Sequence, residues 1–236
     1  MTSASRLEGS RVVVIGAGSG IGRAIAHAVA KAGATVLVSG RDQRKLEWTA
    51  GELGGAEAVA VDLADEDSIA ALASKAGQVD HVISTAAAAA NGPLADLTKQ
   101  AIDTAFAAKV TGPLLLAKHF DVTGSMLFFS GVIAWRPAPQ RTVMATTNGA
   151  LAHLVQALAV ELAPVRVNAV SPGIVDSGAW DGMGEGKAAF LDSVAAKNPA
   201  RRVGSTEDLT EAALFALTNR FTTGTVLHVD GGGRLA

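Results

Sequence analysis

Residues 11–32 read RVVVIGAGSGIGRAIAHAVAKA, a β-branched run followed by a glycine-rich loop and an alanine-rich segment. The run Arg11–Ile15 predicts a buried strand, and Gly20–Ala32 predicts a helix. Between them, Gly16-Ala-Gly-Ser-Gly-Ile-Gly22 has the spacing Gly-x3-Gly-x-Gly. Glycines let the backbone turn sharply and bring helix N-terminal N–H groups against a pyrophosphate. The stretch therefore predicts a dinucleotide-binding strand–loop–helix unit, with a plain tight turn as the alternative.

The same alternation of short apolar runs and longer helical segments continues to the end of the chain. Further strands are expected at Thr35–Ser39, Ala58–Val61, Asp80–Ser84, Ser125–Phe129, Val165–Val170 and Thr225–Val229. Helices are expected at Gln43–Leu53, Asp65–Lys75, Leu97–His119, Val143–Leu162 and Glu207–Thr218. Uniformly apolar strands separated by helices are typical of a parallel sheet covered on both faces. The predicted fold class is α/β, a single-domain Rossmann-like doubly wound sheet of about seven parallel strands over residues 1–236.

Composition limits the partners and the chemistry. The chain has 236 residues, 49% of them apolar, and its formal net charge of −2 gives no reason to expect nucleic acid or an anionic membrane. It contains no cysteine, which excludes disulfides and fits a cytoplasmic location. No metal site is expected, because the five histidines are scattered. The segment Met1–Arg11 lacks the apolar core of a signal peptide, and no apolar run reaches the length of a membrane span.

The segment Ser177–Arg202 differs from the rest of the alternation. It follows the sixth expected strand and contains two glycine-rich turns together with Trp180, Met183 and Phe190. A long insertion at the carboxyl end of a parallel strand is typical of a lid or binding loop. The alternative is an ordinary excursion whose aromatic residues fill the core.

The end of the second strand predicts which dinucleotide binds. A carboxylate at this point usually accepts from a free ribose 2′-hydroxyl, but here the strand ends Val38-Ser-Gly-Arg41. A guanidinium suits a 2′-phosphate, so Arg41 predicts NADP(H), with a solvated surface charge as the alternative. Asp42 is expected to cap the next helix. Asp62, after the third strand, is placed to accept from the adenine amino group, with a helix-capping role as its alternative.

With these residues in place, the chain resembles the short-chain dehydrogenase/reductase family from end to end. The landmarks are Gly16–Gly22, Asp62, Val165-Arg-Val-Asn-Ala-Val-Ser-Pro-Gly173 and Thr223-Gly-Thr-Val-Leu-His-Val-Asp-Gly-Gly232. The resemblance implies a nicotinamide nucleotide, with Ile174 and Ser177 beside its nicotinamide end. It also implies a homodimer or homotetramer, paired through the two long helices Leu97–His119 and Val143–Leu162.

The resemblance also implies an Asn-Ser-Tyr-Lys catalytic tetrad, from which this sequence departs at every position. The tyrosine position is Met144, the lysine position Asn148, the serine position Gly131 and the asparagine position Lys109. The chain has no tyrosine at all. It also has no lysine between Lys118 and Lys187 that realignment could supply.

Two of these departures form an apparent exchange, since lysine and asparagine have traded places. Ile102, Phe106 and Lys109 share the apolar side of their helix, which predicts an inward lysine. Pro113 lacks the N–H that would bond the Lys109 carbonyl. We expect Lys109 to bind the nicotinamide ribose, with Asn148 as a further partner. The alternative is a lysine that extends along the helix to solvent.

The proton donor for a carbonyl reduction follows from the same region. Lys109, with a pKa lowered by burial, is one candidate, and the hydroxyl of Ser130 is another. Thr146 and Thr147 are helical neighbours of Asn148, but hydroxyls there commonly bond their own helix. The predicted catalytic residues are Lys109, Ser130 and Asn148. The predicted cofactor-binding residues are Gly16, Ser19, Gly20, Ile21, Gly22, Arg41, Asp62, Leu63, Ala86, Lys109, Pro172, Ile174 and Ser177.

Three functions remain open on the sequence. The first is an NADP(H)-dependent oxidoreductase with a rebuilt acid/base centre, acting on a small or medium carbonyl or alcohol. Trp135, Trp180 and Met183 would be its apolar pocket walls. The second is a nucleotide-binding sensor, regulator or scaffold without redox chemistry. The third is a non-redox cyclase or lyase on the same fold.

Overall fold

The computed structural model describes residues 7–236. Its strands are β1 (Arg11–Ile15), β2 (Thr35–Gly40), β3 (Glu57–Ala60), β4 (Val79–Ser84), β5 (Val122–Phe129), β6 (Arg166–Pro172) and β7 (Val226–Val229). Its helices are α1 (Gly20–Lys31), α2 (Gln43–Glu52), α3 (Glu66–Ala76), α4 (Lys99–Phe106), α5 (Gly112–His119), α6 (Thr142–Glu161), α7 (Gly186–Lys197) and α8 (Thr206–Thr218). The segment expected to lack a signal peptide, Met1–Arg11, lies partly outside the described residues, since 1–6 are not described.

The seven strands form one parallel sheet in the order β3-β2-β1-β4-β5-β6-β7. The order reverses between β1 and β4, which opens a crevice at the carboxyl ends of the strands. The predicted α/β doubly wound fold is confirmed.

Side-chain alternation along the strands builds one apolar layer on each face of the sheet. From β1, Val12 and Val14 pack with Ile25 of α1 and Leu209 of α8. Val13 and Ile15 point to the other face, where the cluster includes buried residues of α3, α5 and α6. Burial on both faces explains why the strands are almost uniformly apolar.

The helix expected over Leu97–His119 is instead two α-helices joined by a π-helical turn, Ala107–Thr111. Pro113 lacks the N–H of a regular α-helical bond to Lys109, and the Gly112 N–H bonds the Ala107 carbonyl. A Cβ on Gly112 would lie 2.5 Å from that carbonyl oxygen, so the wide turn requires glycine. The irregular turn therefore has a local cause in two adjacent residues.

Two further differences concern α7, which was not expected, and the apolar length of α6. The segment expected as a lid contains α7, which has no buried residue. By length and composition, α6 is apolar enough to cross a membrane, although no run of that length was expected. Here α6 covers the sheet and buries Val143, Leu151, Val155 and Leu158 in the core.

Candidate functional site

A groove of about 1400 Å³ runs across the carboxyl ends of the strands at the crevice between β1 and β4. The strand-end loops form its walls, with residues from α2, the π-helical turn and the start of the 177–202 segment. Of the predicted cofactor residues, those that line it are Gly16, Ser19, Gly20, Ile21, Gly22, Arg41, Asp62, Leu63, Ala86, Lys109, Pro172 and Ser177. The fold thus brings together positions spread over 160 residues of sequence, from 16 to 177.

The glycine loop is shaped by close backbone approaches. Gly16 has φ +89°, and a Cβ there would lie 2.4 Å from the Thr85 hydroxyl. A Cβ on Gly22 would lie 2.1 Å from the Gly16 carbonyl oxygen. Ser19 is the N-cap of α1, but its hydroxyl accepts no first-turn N–H. The N–H groups at this helix N-terminus are therefore available to an anion, which fits the predicted pyrophosphate.

The far end of the groove is basic. Arg41 is exposed and lines the groove, where Arg44 and Lys45 of α2 join it. These two cations were not among the predicted site residues, although their spacing of three and four residues from Arg41 at a helix start was a usable signal. Asp42 accepts from the Lys45 backbone N–H at 3.3 Å, which confirms its predicted capping role. The three cations at this end of the groove fit the 2′-phosphate of NADP(H).

Asp62 lies in the groove wall after β3. Its Oδ1 accepts from the Ala64 backbone N–H at 2.9 Å, which fixes the carboxylate in a local turn. The alternative helix-capping role is wrong, because Asp65 caps α3 by accepting from Asp67. The position fits an acceptor for a nucleotide base.

Lys109 points inward from the π-helical turn and is only 4% exposed. Its Nζ donates to the backbone carbonyl of Phe129 at the end of β5, and the side chain lines the groove. Burial lowers the pKa of this ammonium to about 8. The expected inward orientation is confirmed, and the alternative of a solvent-extended side chain is wrong.

Asn148 is buried nearby on α6, but it does not pair with Lys109 as expected. Its Nδ2 donates to the Met144 carbonyl at 2.7 Å within the same helix. Its Oδ1 is buried and has no hydrogen-bond partner within residues 7–236. A Cβ on Gly131 would lie 3.5 Å from that Oδ1, so the asparagine occupies the space beside the glycine. The amide nitrogen is held by its own helix, and the lysine bonds the Phe129 carbonyl instead.

The candidate hydroxyls are engaged with α6. Ser130 lines the groove, and its Oγ donates to the Asn148 carbonyl at 2.9 Å. Thr146 donates to the Thr142 carbonyl at 2.9 Å, and Thr147 to the Met144 carbonyl at 3.4 Å. Both threonines therefore bond their own helix. Among the candidate proton donors, Lys109 has the most freedom to act on a ligand in the groove.

The 177–202 segment meets the groove only at its start. Ser177 lies against the glycine loop, since a Cβ on Gly20 would be 3.1 Å from its carbonyl oxygen. Ile174 lies beside the groove instead of in its lining, and its carbonyl accepts from Gly204. The lid and the nicotinamide-end role of Ile174 stay predictions.

The three expected apolar walls also lie outside the lining of this groove. Trp135 contacts His228 edge-on, with the ring centroids 4.5 Å apart. Trp180 packs on Phe190, and its indole N–H donates to the Val175 carbonyl. Met183 is 45% exposed. Across residues 7–236, no group of three potential metal ligands is present.

The fold and the groove define a Rossmann-like α/β protein with a groove where the strand order reverses. Residues 16–233 match the sequence model of a family described as enoyl-(acyl carrier protein) reductase. L-xylulose reductase of Mus musculus is 35% identical over 241 residues, covering 96% of this chain and 97% of that relative. The chain therefore belongs to the short-chain dehydrogenase/reductase family.

Solved structures agree with this assignment. MalC reductase/Diels-Alderase from Malbranchea aurantiaca superposes with a TM-score of 0.93 and 30% identity, covering 99% of this chain and 100% of that one. L-sorbose reductase from Gluconobacter frateurii, solved with NADPH and L-sorbose, superposes with a TM-score of 0.90 and 25% identity. The match covers 96% of this chain and 97% of that one. This chain is thus similar both to an L-sorbose reductase and to a protein named reductase/Diels-Alderase.

Proposed function

We propose that this chain is an NADP(H)-dependent oxidoreductase that acts on hydroxylated ketones or the corresponding polyols, without the family's usual tetrad. The observation that carries the proposal is the placement of buried Lys109 in a groove that also contains the glycine loop and a basic end at Arg41. The names of the relatives, reductases of L-xylulose and L-sorbose, supply the substrate class.

The groove residues divide into binding and chemistry. The N-terminus of α1 would hold the pyrophosphate, and Arg41 with Arg44 and Lys45 would hold the 2′-phosphate. A bound NADPH would supply a hydride to the carbonyl carbon. Lys109 would donate its proton to the carbonyl oxygen, since burial lowers its pKa toward neutrality and an ammonium stabilises a developing alkoxide.

Calorimetric titration with NADPH and, in parallel, NADH tests the binding half of the proposal. We expect NADPH to bind the more tightly, and Lys109→Ala to weaken that binding. A panel of ketoses and polyols, followed by NADPH absorbance, tests the redox half. Binding without turnover of any panel member would favour the sensor or scaffold, and binding of neither nucleotide would reject the proposal.

A cyclase activity on the same fold is the second candidate. It is favoured by the TM-score of 0.93 to the MalC reductase/Diels-Alderase structure. Conversion of a substrate without oxidation of NADPH would single it out.

Assembly and location belong to the same proposal. We propose a homodimer or homotetramer paired through α4–α5 and α6, and a cytoplasmic location. Light scattering that showed only monomer at micromolar concentration would reject the assembly. Cell fractionation would test the location.

A further inference from the structure

Lys109 is a buried amine with an open side toward the groove. The side chain is 4% exposed and lines the groove, and its described hydrogen bond goes to one backbone carbonyl, that of Phe129. An ammonium has three N–H donors, so one acceptor leaves most of its capacity unused. A buried charge with so few partners is costly, which favours the neutral amine.

The carboxylates in the groove wall are engaged elsewhere. Asp42 caps α2, Asp62 accepts from Ala64, and Asp181 accepts from Lys187 at 2.7 Å. Among residues 7–236, Lys109 has no salt-bridge partner. Nothing in the described site therefore holds the lysine in its charged form, and the lowered pKa of about 8 has burial as its cause.

Several small residues line the groove together with Lys109. They are Ala86, Ala107 and Ala108, with the hydroxyl-bearing Thr104 and Ser130, and the open groove admits a small molecule when no nucleotide is bound. A neutral amine facing such a space is a nucleophile toward carbonyl compounds.

We propose that Lys109 of the nucleotide-free protein is a covalent attachment site that forms an imine with small aldehydes. The nitrogen lone pair attacks the carbonyl carbon, and one amine proton passes to the carbonyl oxygen to give a carbinolamine. The second amine proton leaves with that hydroxyl as water while the C=N bond forms. Hydrolysis adds the water back and regenerates the free lysine and the aldehyde. This activity goes beyond the proposed reductase function, because it uses the amine and not the ammonium.

The test is reductive trapping of the unmodified chain. The protein is incubated at pH 7.5 with propionaldehyde and cyanoborohydride, which delivers hydride to the imine carbon and leaves a propyl group on the lysine. Peptide mass spectrometry then measures the labelling rate at each lysine. A lysine with the reference pKa is about 0.1% neutral at this pH, whereas a pKa of about 8 leaves about a quarter neutral.

The larger neutral fraction of Lys109 speeds its labelling relative to Lys99, whose side chain is 87% exposed. A less basic amine is also a weaker nucleophile, which offsets part of this advantage. We therefore expect Lys109 to be labelled about tenfold faster than Lys99. Lys45, exposed in the same groove, is the internal control for access. Lys109→Met should lose the fast adduct and keep the labelling of Lys45 and Lys99.

Labelling of Lys109 no faster than Lys99 would overturn the inference. Saturating NADPH should protect Lys109 if the proposed function is correct. Fast labelling without such protection would support the covalent site and contradict the placement of NADPH beside Lys109. Tight NADPH binding without fast labelling of Lys109 would support the nucleotide site and contradict the covalent site.

Discussion

Replacing Lys109 by methionine removes a buried charge while nearly preserving the volume of the side chain. The lysine is 4% exposed, and burial lowers its pKa from 10.5 to about 8. In the unfolded chain the amine binds its proton more tightly than in the fold. The stability contributed by the neutral amine is therefore fully present above pH 10.5 and is lost as the pH falls toward 8.

The size of the effect follows from this difference. Lowering the pKa of Lys109 from 10.5 to about 8 on folding costs about 3 kcal/mol of stability at pH 7, and about half of that at pH 9.5. Between pH 7 and pH 9.5, the free energy of unfolding of the wild type should therefore rise by about 2 kcal/mol relative to that of Lys109→Met. At pH 7 the methionine variant should be the more stable protein, by about 1–3 kcal/mol, because the lost bond to Phe129 offsets part of the gain.

Urea unfolding followed by circular dichroism, at pH 7 and pH 9.5 without nucleotide, measures both quantities. Lys99→Met is the control, since that side chain is 87% exposed and should show no such pH-dependent gap. A stability difference between wild type and Lys109→Met that stays constant with pH would refute the reasoning. It would mean that the lysine titrates in the fold as it does in the unfolded chain.

Three other predictions follow from the same structure. Arg41→Ala should weaken NADPH binding about tenfold and leave NADH binding unchanged in calorimetry, since a charge-assisted bond is lost only for the 2′-phosphate; equal losses for both nucleotides would contradict this. Gly22→Ala should abolish NADPH binding and lower the free energy of unfolding by about 1–3 kcal/mol, because its Cβ would lie 2.1 Å from a carbonyl oxygen. Gly51→Ala on α2, where a Cβ meets open space, should be neutral or stabilising, and a similar loss in both variants would reject the argument. Burial lowers the pKa of His81 to about 4, so the stability held by its neutral form is present above pH 6.5 and is lost as the pH falls toward 4. Between pH 7 and pH 5, the free energy of unfolding of His81→Gln should therefore fall by about 2 kcal/mol less than that of the wild type, measured by urea unfolding. Parallel pH profiles of the two proteins would contradict this.

The amino-acid sequence alone determined the doubly wound sheet, because its signals are local. The central strands are apolar runs buried on both faces, and the glycines from Gly16 to Gly22 mark a loop that approaches a neighbouring backbone closely. The same local logic identified Arg41 at a strand end and the inward side of the helix at Lys109. These features depend on residue type and spacing, which the sequence states directly.

The tertiary structure decided which side chains meet at the site. Arg44 and Lys45 join the basic end only because α2 begins beside the groove, and Trp135 turns toward His228 instead of the groove. Lys109 bonds the Phe129 carbonyl and not Asn148, whose amide nitrogen bonds its own helix and whose Oδ1 has no hydrogen-bond partner among residues 7–236. Such pairings depend on how separate elements pack in three dimensions, which has no signature in the spacing of residues along the chain.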